Sequence, residues 1–212
     1  VKINVKEKIE HGWVHARAII EVIGKPPEAV DNLIQEYVKK ITESRNPPVD
    51  SYLIVQKEAA LKFAGKPYYK ESQYSLLLKP KFEIRIVRNL KRSDFSPQPQ
   101  VDTVLLQIKR KQESIFDPKQ EKIYRDFVIY GFNQWQPTLK KSFNKIFTNL
   151  QFKRLARDLR FDKSAKPTDL DFEQWQGLFH YFFSGVIEEK QDFIIGSDEK
   201  LKKEQAGLKK IH

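Results

Sequence analysis

The chain has 212 residues, with 39 Lys and Arg against 28 Asp and Glu, a formal net charge of +11, 40% apolar residues and no cysteine. That length supports one large domain or two small ones around a real core, and the lack of cysteine excludes disulfides, thiolate metal sites and a cysteine nucleophile. No run approaches the ~18 apolar residues of a membrane span and no charged-then-apolar leader opens the chain, so the expectation is a soluble, cytoplasmic protein whose positive excess favours a polyanion, RNA or DNA.

Residues 1–10, VKINVKEKIE, alternate like a strand and are expected to pair beside a second strand over 13–23, with Glu10-His11-Gly12 as the turn. In that second strand Val14, Ala16, Ala18, Ile20 and Val22 share one face, the pattern of a half-buried strand. Gly24-Lys25-Pro26-Pro27 stops it. Pro27 suits a first helical position, and Glu28 and Asp31 favour the positive end of the helix dipole. Ala29, Val30, Leu33, Ile34, Tyr37, Val38 and Ile41 then recur at three- and four-residue spacing, predicting an amphipathic helix that closes on Lys39 and Lys40. A helix start after a glycine can hold an anion, but one glycine without phosphate-loop spacing reads as a connector. The run ARAIIEVIGKPPEAVDNLIQEYVKKI (16–41) resembles the opening of small uncharacterised archaeal α+β proteins, with a strand, a G-K-P turn and a helix. That resemblance implies a ferredoxin-like N-terminal half and brings no chemistry with it.

Downstream, 43–50 (ESRNPPVD) is a Pro-rich connector and 51–56 a strand; 57–63 is ambiguous, with helix formers in a short run. AGKPYYKESQY (64–74) reads as a polar, tyrosine-bearing loop. Phe82, Ile84 and Ile86 predict another strand. Residues 93–101 have linker composition, and 101–111 is a strand with a basic exit. Asp117 caps a helix with Pro118 at its first position, Pro137 ends or kinks it, a second helix runs from Thr138 to about Leu159, and Pro167-Thr168-Asp169 introduces a third. The predicted class is α+β: an N-terminal ferredoxin-like antiparallel sheet with a helix (1–92), a linker or edge strand (93–116), a smaller aromatic-rich helical domain (117–196) and a charged, frayed or disordered tail (197–212).

Three constellations stand out. Phe132-Asn133-Gln134-Trp135-Gln136 is echoed by Phe172-Glu173-Gln174-Trp175-Gln176, a coincidence or shared packing role rather than a stacked repeat, with both indoles expected inside. Lys140, Lys141, Lys145, Lys153, Arg154, Arg157 and Arg160 form a basic row that could track a phosphate backbone, with Lys153, Arg157 and Arg160 on one helical face. Lys66, Tyr68, Tyr69, Lys79, Lys81, Arg85, Arg88, Lys91 and Arg92 interleave cations with aromatics, as single-stranded nucleic acid binding requires.

Catalytic signatures are absent from the pattern. Asp50, Glu58 and Glu83 lie near strands without nuclease spacing, since Arg85 stands where that chemistry wants lysine. No catalytic residue, metal ligand or cofactor is assigned. The expectation is a non-enzymatic basic protein binding nucleic acid or a nucleoprotein assembly. The alternatives are an adaptor docking a protein partner through its aromatic helical half, and a metal-dependent nuclease.

Overall fold

Alternating side chains and a proline at a helix start predict strand, strand, helix, and that order is observed. The structure, a computed structural model, describes residues 3–10, 13–20, 27–96 and 98–208. Strand β1 (Ile3–Glu10) pairs antiparallel with β2 (Trp13–Ile20), Ile3 opposite Ile20 and Glu10 opposite Trp13. The expected turn residues His11 and Gly12 and the Gly24-Lys25-Pro26 connector lie outside the described residues. Helix α1 (Pro27–Thr42) buries Ile34 and Val38 and ends on Lys39 and Lys40, as its periodicity predicts. Lys40 pairs with Glu36 one turn back at 2.8 Å.

The chain divides into two compact units that interleave in sequence: residues 1–61 with 82–111, and 62–81 with 112–212. In the first, β3 (Asp50–Gln56) leads into α2 (Lys57–Ala64), which settles the ambiguous stretch as helix. Its sheet is completed after the 62–81 excursion by two further strands. The next element of the chain is α3 (Gln73–Leu78), followed by β4 (Phe82–Leu90) and β5 (Thr103–Arg110). The sheet order is β3-β5-β4, all antiparallel, so 103–110 is the central strand and not an edge. Its inward residues Val104, Leu106 and Ile108 are sealed, each side chain contributing about 1.5–3 kcal/mol by burial. A three-stranded sheet and a separate two-stranded hairpin replace the ferredoxin-like sheet expected from the sequence. The α+β class stands.

The ladder between β4 and β5 slips between Ile86 and Arg88. Phe82 and Ile84 face the core, and unbroken alternation would turn position 88 inward as well. The extra residue, Val87, resets the parity, so Arg88 sits opposite Leu105 and is exposed.

The second unit is helical around aromatic side chains. Helix α4 (Pro118–Phe132) begins where Asp117 accepts from the Lys119 and Gln120 N–H groups at 2.8 and 2.9 Å, with Gln120 reciprocating. Its inner face stacks Phe127 on Phe143 at 4.8 Å and sets it against a tilted Phe182 ring at 4.9 Å. The single helix expected from Thr138 is two: α5 (Leu139–Ser142) and α6 (Asn149–Asp158). Thr148 and Gln151 form a reciprocal cap that starts α6 afresh, an N-terminal signal stronger than the apolar period running through it. Helix α7 (Phe172–Gly185) carries Trp175, Leu178, Phe179 and Phe182 into the same core, followed by α8 (Glu188–Gln191). No helix among the described residues is long and apolar enough to cross a membrane.

The charged tail is ordered as α9 (Ser197–Leu208). Asp126, buried on α4, accepts from the Gly196 and Asp198 N–H groups at 2.9 and 2.8 Å, capping orphan donors from far away in sequence. Arg125 and Lys202 hold Asp198 at 3.0 and 2.6 Å. Burial opposes that carboxylate, but Lys202 and Arg125 outweigh it and keep its pKa below the ordinary value. Asp126→Ala is expected to cost about 1–3 kcal/mol, read as fast amide exchange across 197–208 while 118–132 stays protected.

Candidate nucleic-acid interface

The tyrosine-bearing loop is stapled from beneath. Gly65 takes a φ of 62°, and its carbonyl accepts from the Tyr68 and Tyr69 N–H groups at 2.9 and 3.0 Å. A side chain there would be strained and would collide with the Glu71 carboxylate and the Ser75 hydroxyl. Glu71 is wholly buried; it accepts from Ser75 Oγ at 2.5 Å and from Lys66 N at 3.3 Å, and pairs with Lys79. Lys79 also donates to the Lys66 carbonyl at 3.1 Å. Tyr68 and Tyr69 are thereby held on the surface, 40% and 58% exposed.

The loop is also tied to the 3₁₀ turn Pro167–Asp169. Lys66 Nζ donates to the Asp169 carbonyl at 2.9 Å, and Lys70 Nζ lies 3.4 Å from its carboxylate. The Lys166 N–H, then Lys70, hold the Asp169 carboxyl below its usual range. A lowered folded pKa contributes stability above the unfolded value of about 3.9 and loses it as pH falls through the folded value. Acid below about pH 4 is therefore expected to loosen residues 66–70 before the core, seen as an amide-exchange step that Asp169→Asn removes.

Two open grooves adjoin. In one, of about 530 Å³, Lys153, Arg154, Arg157 and Lys163 stand over Leu150 and Phe161. In the other, of about 350 Å³, Lys66 and Arg160 meet Asp169 and Gln174, and Phe161 and Asp162 belong to both. Lys153 and Arg157 share a face of α6, one turn apart. Arg160 does not: it lies beyond the helix end at a φ of 58°, its turn held by Gln174 Nε2 donating to the Leu159 and Arg160 carbonyls at 3.0 and 3.2 Å. The Ser164 hydroxyl and N–H, with Lys163 beside them, hold the Asp162 carboxyl low. The groove pair thus unites Lys66 with Arg160, Lys153, Arg154 and Arg157, residues that fell into two separate clusters in the sequence.

Other predicted residues go elsewhere. Lys79 is committed to Glu71 inside the fold, and Lys81 pairs with Glu121 at 2.6 Å. On the first unit, Arg85 pairs with Glu83 at 2.5 Å and Arg92 with Asp102 at 3.0 Å, the Lys91 N–H donates to Asp94, and Arg88 points outward. Lys140 and Lys141 are exposed in the first turn of α5, while Lys145 lies over the Phe193 ring at 5.6 Å. Of the echoed tryptophans, Trp175 is buried, donating to the Pro167 carbonyl at 3.1 Å and stacking on Phe132 at 5.5 Å. Trp135 is 96% exposed, against expectation. The immediate neighbours do not mark that difference, being polar in both copies; Trp175 is followed at helical spacing by Leu178, Phe179 and Phe182, whereas Trp135 is followed by Pro137. The echo is no structural repeat, since one copy leaves α4 and the other opens α7.

Asp50 and Glu83 face Lys109 from opposite sides of β5, two strand spacings or about 9–10 Å apart. Gln107 and Arg85 engage them. No group of three or more His, Cys, Asp or Glu among the described residues could hold a metal ion.

The family model of ribosomal RNA adenine dimethylase matches residues 4–183. The chain is 28% identical over 138 residues to an rRNA adenine N-6-methyltransferase of Bacillus licheniformis, covering 65% of this chain and 47% of the relative. It is 33% identical over 125 residues to Ribosomal RNA small subunit methyltransferase A of Pelagibacter ubique, covering 56% of this chain and 45% of the relative. The chain spans about half the length of these curated relatives. The crystal structure of 23S rRNA methyltransferase ErmE aligns with a TM-score of 0.64 at 19% identity, over 71% of this chain and 62% of that one, a likeness of fold.

These findings correct the sequence reading. The match over 4–183 replaces the resemblance of 16–41 to archaeal ferredoxin-like proteins, and a family defined by adenine dimethylation overturns the non-enzymatic, adaptor and nuclease expectations. With the model laid over most of its length, the chain belongs to the ribosomal RNA adenine dimethylase family.

Proposed function

We propose that this protein methylates N6 of adenine in ribosomal RNA, and that the second unit holds the RNA strand. The family supports the reaction, and the observation that carries the RNA-holding role is the joined groove of Lys66, Arg160, Lys153, Arg154 and Arg157 beside two surface tyrosines. Cations along a groove take phosphates and exposed rings stack on bases, a combination suited to an unpaired strand. Tyr68 and Tyr69 present their rings without further ordering cost, because Glu71 and Gly65 already fix the loop.

The reaction implies a methyl donor, whose transferable group is activated on a positively charged centre. The two grooves described above are cation-lined and open, and like charge disfavours such a centre there. The buried Glu71 is already neutralised by Lys79. These residues do not fit the donor; they fit the acceptor strand.

The test pairs two measurements on the purified protein. Ribosomal RNA incubated with a labelled methyl donor and digested to nucleosides is expected to yield N6-methylated and N6,N6-dimethylated adenosine; label on another base or atom overturns the reaction. RNA titrations over a salt series are expected to show affinity falling with salt, and a flat series overturns the groove's role.

A further inference from the structure

Trp135 is the most exposed large apolar side chain of the described residues. Its backbone is left-handed, with a φ of 51°, a conformation that costs an ordinary L residue stability and is kept where something over-determines it. Packing does not compensate, because among the described residues the ring has neither a hydrogen bond nor a ring contact.

The chain around it is firmly held. The Asn133 N–H reaches the Ile129 carbonyl at 3.0 Å, and its side-chain amide donates to Gln73 Oε1 at 2.9 Å and to the Ile129 carbonyl at 2.8 Å. On the far side, Leu139 is buried and its N–H donates to the Ala165 carbonyl at 2.9 Å. The indole therefore projects from a short bridge pinned at both ends between α4 and α5. The turn that follows presents Lys140 and Lys141, exposed and without an ion pair among the described residues.

A rigidly presented ring beside unpaired cations matches the unit of single-strand recognition, stacking for a base and charge for its phosphates. The flanking Gln134 and Gln136 leave no apolar surface around the ring of the kind that inserts into a lipid interface. We infer that Trp135 is a stacking anchor for an unpaired base of the RNA, with Lys140 and Lys141 on the adjoining phosphates. This rests on RNA being the partner and adds which feature of it is recognised: an unpaired nucleotide outside the groove of Lys153 and Arg160.

The test compares the unaltered protein with Trp135→Ala, Trp135→Phe and Trp135→Gly, each titrated with a single-stranded oligoadenylate and with an RNA duplex of equal length. Trp135→Ala and Trp135→Gly are expected to weaken single-strand binding about tenfold and to leave duplex binding unchanged; Trp135→Phe restores most of the loss. Indole emission of the unaltered protein is expected to be quenched by the oligonucleotide. Trp135→Gly also relieves the left-handed backbone and is expected to raise Tm by about 2–4 °C, so weaker binding there is not weaker folding. Single-strand binding equal to the unaltered protein in Trp135→Ala overturns the inference alone. Failure of the unaltered protein to bind either RNA overturns it together with the RNA reading.

Discussion

Glu71→Ala is expected to destabilise the second unit by about 3–5 kcal/mol and to release the tyrosine loop. The Glu71 side chain has no solvent exposure and that of Lys79 is 16% exposed. Truncation removes the Glu71 counter-charge from a mostly buried ammonium and the acceptor of the Lys66 N–H, and leaves Ser75 Oγ with the Ser72 carbonyl at 3.0 Å. Most of the cost comes from those orphaned groups rather than from the net value of the pair. Replacing both ions together, Glu71→Leu with Lys79→Met, is therefore expected to recover most of the loss in urea denaturation, while residues 65–70 still exchange quickly because the Lys66 N–H has no acceptor. A single Glu71→Ala change costing under about 1 kcal/mol would mean that the loop is held by its Asp169 contacts instead.

Neutralising Lys153, Arg154 and Arg157 together is expected to flatten the salt dependence of single-stranded RNA binding by about 2 in the slope of log K against log salt, since each lost phosphate contact removes about 0.7. All three are exposed, and among the described residues only Arg157 is paired, with Asp158 at 2.8 Å, so stability is expected to change by less than about 0.5 kcal/mol per site. Lys81→Ala is the contrasting control. Its ammonium is already paired with Glu121 at 2.6 Å, and removing it is expected to leave the slope unchanged. A salt slope insensitive to the triple change would move the strand off α6 altogether.

Much of the first unit was legible because period-two alternation and β-branched residues are local signals. β2, β3 and β4 and the paired β1 all follow from them, as does α1 from its apolar stripe and Pro27. What failed was set by distant or competing groups. The Thr148–Gln151 cap divides a stretch whose apolar residues recur without a break, and with it the basic row. Asp126 orders a tail whose own composition reads as frayed. Arg160 leaves the face it shares on a helical wheel because the helix ends before it. The union of Lys66 with Arg160 depends on the Asp169 carbonyl, which no spacing rule finds. The family's chemistry was hidden for another reason. Methyl transfer to an exocyclic amine uses the substrate's own nitrogen as nucleophile and depends on positioning, so no serine, histidine or cysteine constellation need mark it. Net charge pointed to the polyanion partner proposed above, whereas the lack of catalytic signatures led to the non-enzymatic expectation that the family match overturns.

The interleaving of the two units bears on how the polypeptide is made. The backbone crosses between them three times, at 61–62, 81–82 and 111–112. During synthesis β3 emerges long before β5, its partner in the sheet, and the edge it offers stays open while residues 62–81 are extruded. Those residues in turn wait for α4, whose Tyr124 hydroxyl donates to the Leu76 carbonyl at 3.3 Å. The first unit can be completed once residue 111 has emerged, while residues 62–81 still await 112–212, and the separation of paired segments predicts slow folding for a chain of this size. A cut at 61–62 divides only the first unit, one at 111–112 only the second, and one at 81–82 both; the helical half, drawn from 62–81 and 112–212, cannot be exchanged between relatives as a single contiguous block.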